Sequence, residues 1–125
     1  MKYWLRPANL KYYDVFKAFE ELGTINWRSS NNYSIGDIVY IYCSSPLKRI
    51  THKCIVVDTD IFIEDSEYDD KFVINKRPSS TERCIKLKLV NVINKEVTLN
   101  DIGIKVCQGP RTITLDQASI IDRNI

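Results

Sequence analysis

Trp27 is followed at once by Arg28, Ser29, Ser30, Asn31 and Asn32. An indole offers a flat apolar wall on which a planar ligand ring can stack, and hydroxyl and amide groups beside it can meet that ring's polar edge. A polar segment with this composition has the chemistry of a surface loop, and loops on a rigid scaffold commonly hold ligands. A second polar segment, Ser44-Ser45-Pro46, closes the aromatic run Ile38–Cys43, in which Tyr42 lies nearer the end than Tyr40. The plainer reading of these aromatics is packing. Trp27 would then be a lid over the core, Trp4 alternates with Tyr3 and Leu5 as a strand residue does, and Tyr40 and Tyr42 share one face of their strand.

Catalytic chemistry finds less support. Cys43 or Cys54 with His52 could be paired as nucleophile and base, but His52 is the only histidine and no third orienting group stands out. The four cysteines Cys43, Cys54, Cys84 and Cys107 are widely spaced, without a CxxC pair, and three lie in apolar or alternating runs. Core thiols are the expectation, with no metal site. Neither a Gly-rich phosphate loop nor an evident carboxylate pair is present, so no cofactor and no enzymatic activity are expected.

The sign of the charge changes along the chain. Asp58, Asp60, Glu64, Asp65, Glu67, Asp69 and Asp70 contain no base among them, whereas Lys71, Lys76, Arg77, Arg83, Lys86 and Lys88 are opposed only by Glu82. Two solvated arms of a hairpin facing each other is the plainer account, and a basic strip along a phosphate backbone the functional one. A net charge of +2 is too small to identify a nucleic-acid binder. With 125 residues and 44% hydrophobic content, residues 1–125 read as one domain. The longest apolar run cannot span a bilayer and no signal-peptide pattern is seen, so a cytoplasmic protein without membrane partners is expected.

These residues must be positioned by elements legible in the same sequence. A short strand over residues 2–6 ends at Pro7. Apolar Tyr12, Val15, Phe16, Phe19 and Leu22 recur at helical spacing, predicting a helix over 11–22 capped by Gly23. An extended piece at 24–27 precedes the polar loop, and Gly36-Asp37 turns into Ile38–Cys43, apolar on both faces and so a central strand. A long strand from about 50 to 62, an irregular or hairpin excursion at 64–80 and an alternating strand at 83–92 follow. Thr98 with Asp101, and Thr114 with Gln117, have the spacing of N-caps, predicting two short helices, with residues 104–107 as strand between them. The order predicts an α+β fold, a mixed sheet curling into a small barrel with helices at its rim.

An ordered set of features resembles the EVE domain: Tyr3-Trp4-Leu5 at the start; Trp27 nine residues before Gly36; and the tract from Gly36-Asp37 through Tyr40 and Tyr42 to Ser44-Ser45-Pro46. The 83–92 strand followed by Val97-Thr98-Leu99, and Ile113-Thr114-Leu115 before a helix, complete the set. EVE domains belong to the PUA-like superfamily with YTH and ASCH domains, and the resemblance covers nearly the whole chain. Trp4-Leu5-Arg6-Pro7-Ala8-Asn9 with Asn26-Trp27 is also similar to the N-terminal modified-base readers of bacterial modification-dependent restriction proteins. Two departures lie beside the expected pocket and bear on which base it accepts. Pro7-Ala8 stands where many EVE domains have a lysine-serine pair, and the loop after Trp27 is shorter.

The resemblance implies a PUA-like barrel and a non-catalytic module that reads a modified nucleobase, extruded from DNA ahead of RNA. A nuclease domain or subunit is a candidate partner. Reading such a base requires a stacking wall and polar groups for its Watson–Crick edge. Trp27, Ser29, Ser30, Asn31, Tyr42, Ser44, Ser45 and Asn9 are the residues expected to contact the base, and Arg6, Lys48, Arg49 and Arg111 the phosphates. Burying one methyl contributes about 0.8 kcal/mol, so a pocket that only tolerates a methyl discriminates about fourfold. The alternatives are a small-ligand or protein-interaction module on the same fold, or an ASCH-like hydrolase or ribonuclease.

Overall fold

Alternation along the third strand decides which side of the sheet each residue serves. In β3 (Ile38–Cys43) the side chains of Val39, Ile41 and Cys43 enter a cluster packed with the first helix, and Tyr40 enters a second cluster packed with the last helix. A strand covered on both faces has no polar side, which is why this run carries none. The same division holds in β1 (Tyr3–Ala8), where Trp4 and Ala8 join the first cluster and Leu5 the second.

The computed structural model describes residues 1–28, 31–62, 72, 74 and 83–125, the side chains of Arg28 and Phe62 excepted. Between β1 and β3 lie α1 (Val15–Leu22) and β2 (Thr24–Arg28); β4 (Arg49–Phe62), β5 (Arg83–Val97), a 3-10 turn at Asn100–Ile102, β6 (Arg111–Ile113) and α2 (Leu115–Asp122) follow. The sheet order is β2-β5-β4-β3-β1-β6. β1 and β3 run parallel and the other neighbours antiparallel. This is the expected α+β fold with a mixed sheet. Its outer strands, β2 and β6, are not paired with each other, so the barrel is an open curl.

The curl comes from the two longest strands. The β4–β5 ladder changes register four times, and each bulge bends its strand and increases the local twist. A bulge also redirects side chains. Ile50 faces the α2 side, whereas Thr51 and His52 are both buried on the α1 side: the Phe16 and Phe19 rings lie 4.6 and 5.2 Å from the imidazole, and Thr51 Oγ1 is 2.7 Å from His52 Nδ1.

Asp37 fixes the start of the sheet. Its carboxylate, 1% exposed, accepts hydrogen bonds from the Lys2 amide at 2.9 Å, the Trp4 indole at 3.0 Å and the Ser34 amide at 3.0 Å. Burial alone would raise its pKa, but those bonds and the N-terminal ammonium outweigh it and hold the carboxyl below the usual value. Gly36, at φ 94°, supplies the left-handed turn in front of it.

Several elements differ from expectation. β1 continues through Pro7, which registers with Tyr42 on β3, because β6 has already ended opposite Leu5 and no strand needs the missing N–H on that side. α1 begins at Val15 rather than residue 11. Asp14 takes the N-cap, accepting from the Lys17 amide at 3.1 Å, and residues 9–13 turn back on the Asn9 carbonyl. Gly23 caps the helix as expected, at φ 74°. Thr98 and Asp101 do cap each other, but only a 3-10 turn follows, and residues 104–107 form no strand. β6 went unrecognised in the sequence because three residues carry no period, so Arg111 lies in a strand and not in a rim loop. The Thr114–Gln117 capping box is present. Most of the 64–80 excursion lies outside the described residues; Phe72 is buried in the α1-side cluster. Where the charged arms are described, Arg83 pairs with Asp60 at 3.1 Å and Asp58 registers with Lys86, the arrangement of opposed hairpin faces. No helix among the described residues is long and apolar enough to cross a membrane.

His52 makes stability pH-dependent in a defined direction. Burial first, and then Arg49, pull its pKa from 6.5 down to about 4, so between those values the unfolded chain binds the proton that the folded chain refuses. The contribution is complete above pH 6.5 and is lost progressively towards pH 4, by about 3 kcal/mol. Urea unfolding between pH 7.5 and 4.5 is expected to show this decline, and a His52→Gln variant a flatter profile.

Candidate functional site

Arg6 stands between Trp4 and Ala8 on β1 and therefore points to the apolar α1 side. Trp27 reaches the same side from β2, registered with Ile85 just as Ile25 registers with Leu87. In sheet order β1 and β2 are four strand spacings apart, about 19 Å in a flat sheet. The curl brings the Arg6 guanidinium to 5.1 Å from the centre of the Trp27 ring. Burial lowers the Arg6 pKa and the neighbouring Tyr33 phenol acts against that shift; the group remains a cation at neutral pH. Trp27 itself is half-buried, so part of the indole stays accessible at the mouth of the curl.

The indole is held from the side. Tyr13 meets it edge-on, with ring centres 5.6 Å apart and planes at 68°. Tyr13 is placed by the turn in which the amides of Tyr12 and Tyr13 donate to the Asn9 carbonyl and the Lys11 amide donates to Asn9 Oδ1. Tyr33, buried, packs on Trp4 with ring centres 4.3 Å apart and planes tilted by 38°, tying the end of the loop after β2 to β1. Neither Tyr13 nor Tyr33 stands out in the sequence, since both fall in turns where no period marks the side they face.

Asn9 and Ser44 follow Ala8 and Cys43, which are register partners, and so emerge together at the same end of the parallel pair. The Ser44 amide and hydroxyl both donate to the Ala8 carbonyl, at 3.0 and 3.4 Å, and exposed Ser45 follows. Asn31 is exposed, its carbonyl accepting from the Tyr33 amide. Ser29 and Ser30 lie outside the described residues.

Other expected contacts are separated from Trp27. Tyr42 packs with the α2-side cluster, on the opposite face of β3, because it differs by an odd number of residues from Ile41 and Cys43. Burial, with Cys107 and Cys43 nearby, raises its pKa. Arg111 is exposed and registers with Leu5, which places it on that α2 side too. Arg49 donates from Nη1 to the Ile93 carbonyl at 3.0 Å, whereas Lys48 is exposed at φ 53°. Arg6, expected at a phosphate, lies instead against the indole.

The two thiols that the sequence pairs with His52 are buried. Cys43 Sγ lies 3.2 Å from Thr51 Oγ1, which in turn contacts His52, but all three residues are buried. Burial raises the pKa of Cys43 and Cys54, keeping the thiols protonated, and the same burial keeps His52 neutral. Among the described residues no three His, Cys, Asp or Glu side chains converge as metal ligands.

No family model and no curated protein sequence matches the chain. Solved structures do. Human THYN1, in complex with DNA containing 5-methylcytosine, is similar at a TM-score of 0.68 and 12% identity, covering 99% of this chain and 98% of that one. The ASCH protein of Zymomonas mobilis is similar at 0.66 and 9%, covering 98% and 94%. A protein from Agrobacterium tumefaciens is similar at 0.66 and 16%, covering 99% and 93%. At these identities the likeness shows the fold, which is the PUA-like fold of the ASCH and THYN1 structures.

The two tryptophans differ in burial and predict different costs. Trp4 is 6% exposed with its indole N–H on Asp37, so Trp4→Ala is expected to destabilise by about 3–5 kcal/mol. Trp27→Ala is expected to cost about half as much or less, since its indole is only half-buried. Thermal melting of the two variants checks the ranking.

Proposed function

We propose that the chain is a non-catalytic reader of a modified nucleobase in DNA, with the Trp27 indole as the stacking wall. The observation that carries the reading is the half-buried Trp27 beside a desolvated Arg6 at the mouth of the curl. It sits on a fold shared over nearly its whole length with a protein solved on 5-methylcytosine DNA. A partly exposed indole is the element a flipped base requires, and a cation beside it favours a π-face. Asn31, on the segment after β2, and Asn9, Ser44 and Ser45, at the shared end of β1 and β3, provide polar groups for the edge of a base. Ser29 and Ser30 belong to the same proposal through their place in the sequence. Lys48, exposed immediately before β4, is the proposed phosphate contact.

The ordered EVE-like motifs support placing the chain among EVE-type readers that act with a nuclease. A hydrolase would have to use the Cys43, Thr51 and His52 chain, which is closed to solvent and holds its thiol protonated. Burial at that chain favours the binding reading.

Titration of fluorescent duplexes that differ only in one 5-methylcytosine tests the proposal. The methylated duplex is expected to bind at least about fourfold more tightly. Affinity should fall with added salt, as phosphate contacts require. Trp27→Ala is expected to weaken binding tenfold to about a hundredfold, the loss of about 1–3 kcal/mol of stacking. Equal affinity for both duplexes, or a Trp27→Ala variant that binds as well as the parent, would refute the reading.

A further inference from the structure

We propose that Arg6 determines which bases the site accepts: the base is clamped between the Trp27 indole and the Arg6 guanidinium, so neutral rings enter and rings made cationic by methylation are refused. The inference rests on the reading of this site as a base pocket.

The separation of the two walls sets the geometry. The guanidinium carbon lies 5.1 Å from the indole centre, too near for a ring to stand between them. Planes in van der Waals contact need about 3.5 Å on each side, so a clamp must open to about 7 Å, a movement of roughly 2 Å. Trp27 is the wall that stays. It is registered on Ile85 and braced by the edge of Tyr13. The guanidinium stands at the end of a long flexible stem and carries the movement, giving up its contacts with Trp27 and the Tyr33 phenol while the β1 backbone keeps its pairing with β3.

Charge then sorts the ligands. An arginine stays ionised at neutral pH and stacks on π-faces. On this apolar side of the sheet its field is less screened than at the surface. A neutral heterocycle between indole and guanidinium is attracted by both, through stacking and through the cation–π interaction. A ring bearing a positive charge meets a like charge about 4 Å away, and at that distance repulsion near a protein surface is large compared with the gain from stacking. Pyrimidines modified at carbon 5 therefore pass, and 3-methylcytosine, protonated at neutral pH, does not.

The probes are 3-methylcytosine and 3-methyluracil, which block the same ring nitrogen but differ in charge. Each is placed in an oligonucleotide and competed against a labelled 5-methylcytosine duplex on the full chain. The parent protein is expected to bind the 3-methylcytosine oligonucleotide about tenfold or more weakly than the 3-methyluracil one. Arg6→Met, which keeps the stem without the charge, should bring the two within about threefold, and Arg6→Lys should retain the discrimination. Melting curves confirm that both variants are folded, and Arg6→Lys carries the test if Arg6→Met is not. It then overturns the clamp if it discriminates no better than threefold. A ratio unchanged in Arg6→Met, or no discrimination by the parent, overturns the clamp alone while the preference for 5-methylcytosine over cytosine persists. Absence of that preference in the parent removes the base-pocket reading, and the clamp with it.

Discussion

The bend of the sheet is the constraint on which the site depends. Four register shifts between β4 and β5 turn the sheet around the α1-side cluster until its first and fifth strands face each other across the mouth, closed there by Arg6 on Trp27. No hydrogen-bonded ladder joins β2 to β6, so side-chain packing holds the curl where a closed barrel would use strand pairing. An opening held by side chains rather than by a ladder leaves room for a ligand to exchange places with a side chain. In the proposed clamp the cost of opening is the contacts of Arg6 with Trp27 and Tyr33 and a rotamer change, not a broken sheet.

The same bulges account for the buried polar chain inside. By turning Thr51 and His52 to one side, the irregularity after Ile50 places an imidazole among Phe16 and Phe19, where Thr51 gives it a hydrogen-bonding neighbour. That histidine is neutral at physiological pH and linked to stability through its depressed pKa. Asp37 does the corresponding work at the other end of β3, binding the turn, the first amide of the chain and the Trp4 indole to one carboxylate. Trp4 is thereby committed to the fold, which leaves Trp27 as the tryptophan with a face to offer.

How far the sequence could be read follows from which signals are local. Ile38–Cys43 was legible because a strand apolar on both faces must be central, and the Gly23 cap and the Thr114–Gln117 box are fixed by neighbours three or four residues away. Of the candidate site, Trp27 with Asn9 and Ser44 could be singled out from residue type and element ends. The relation of Arg6 to Trp27 could not, because it arises from the curl, and bulges leave no mark in composition. Tyr42 is half-buried near the strand end, as its position suggests, but its parity with Tyr40 carries it to the α2 side, away from Trp27. Arg111 was misplaced for a related reason, since a three-residue edge strand gives too short a pattern to detect.

With two tryptophans in the chain, two indole N–H resonances report separately on the mouth and on the core. Titrating a 5-methylcytosine duplex into the 15N-labelled protein tests the central claim directly. The Trp27 indole signal is expected to shift or broaden at sub-stoichiometric duplex while the Trp4 signal, held on Asp37 beneath the sheet, keeps its position. Binding that leaves the Trp27 signal unmoved, with changes confined to residues on the α2 side, would contradict the account.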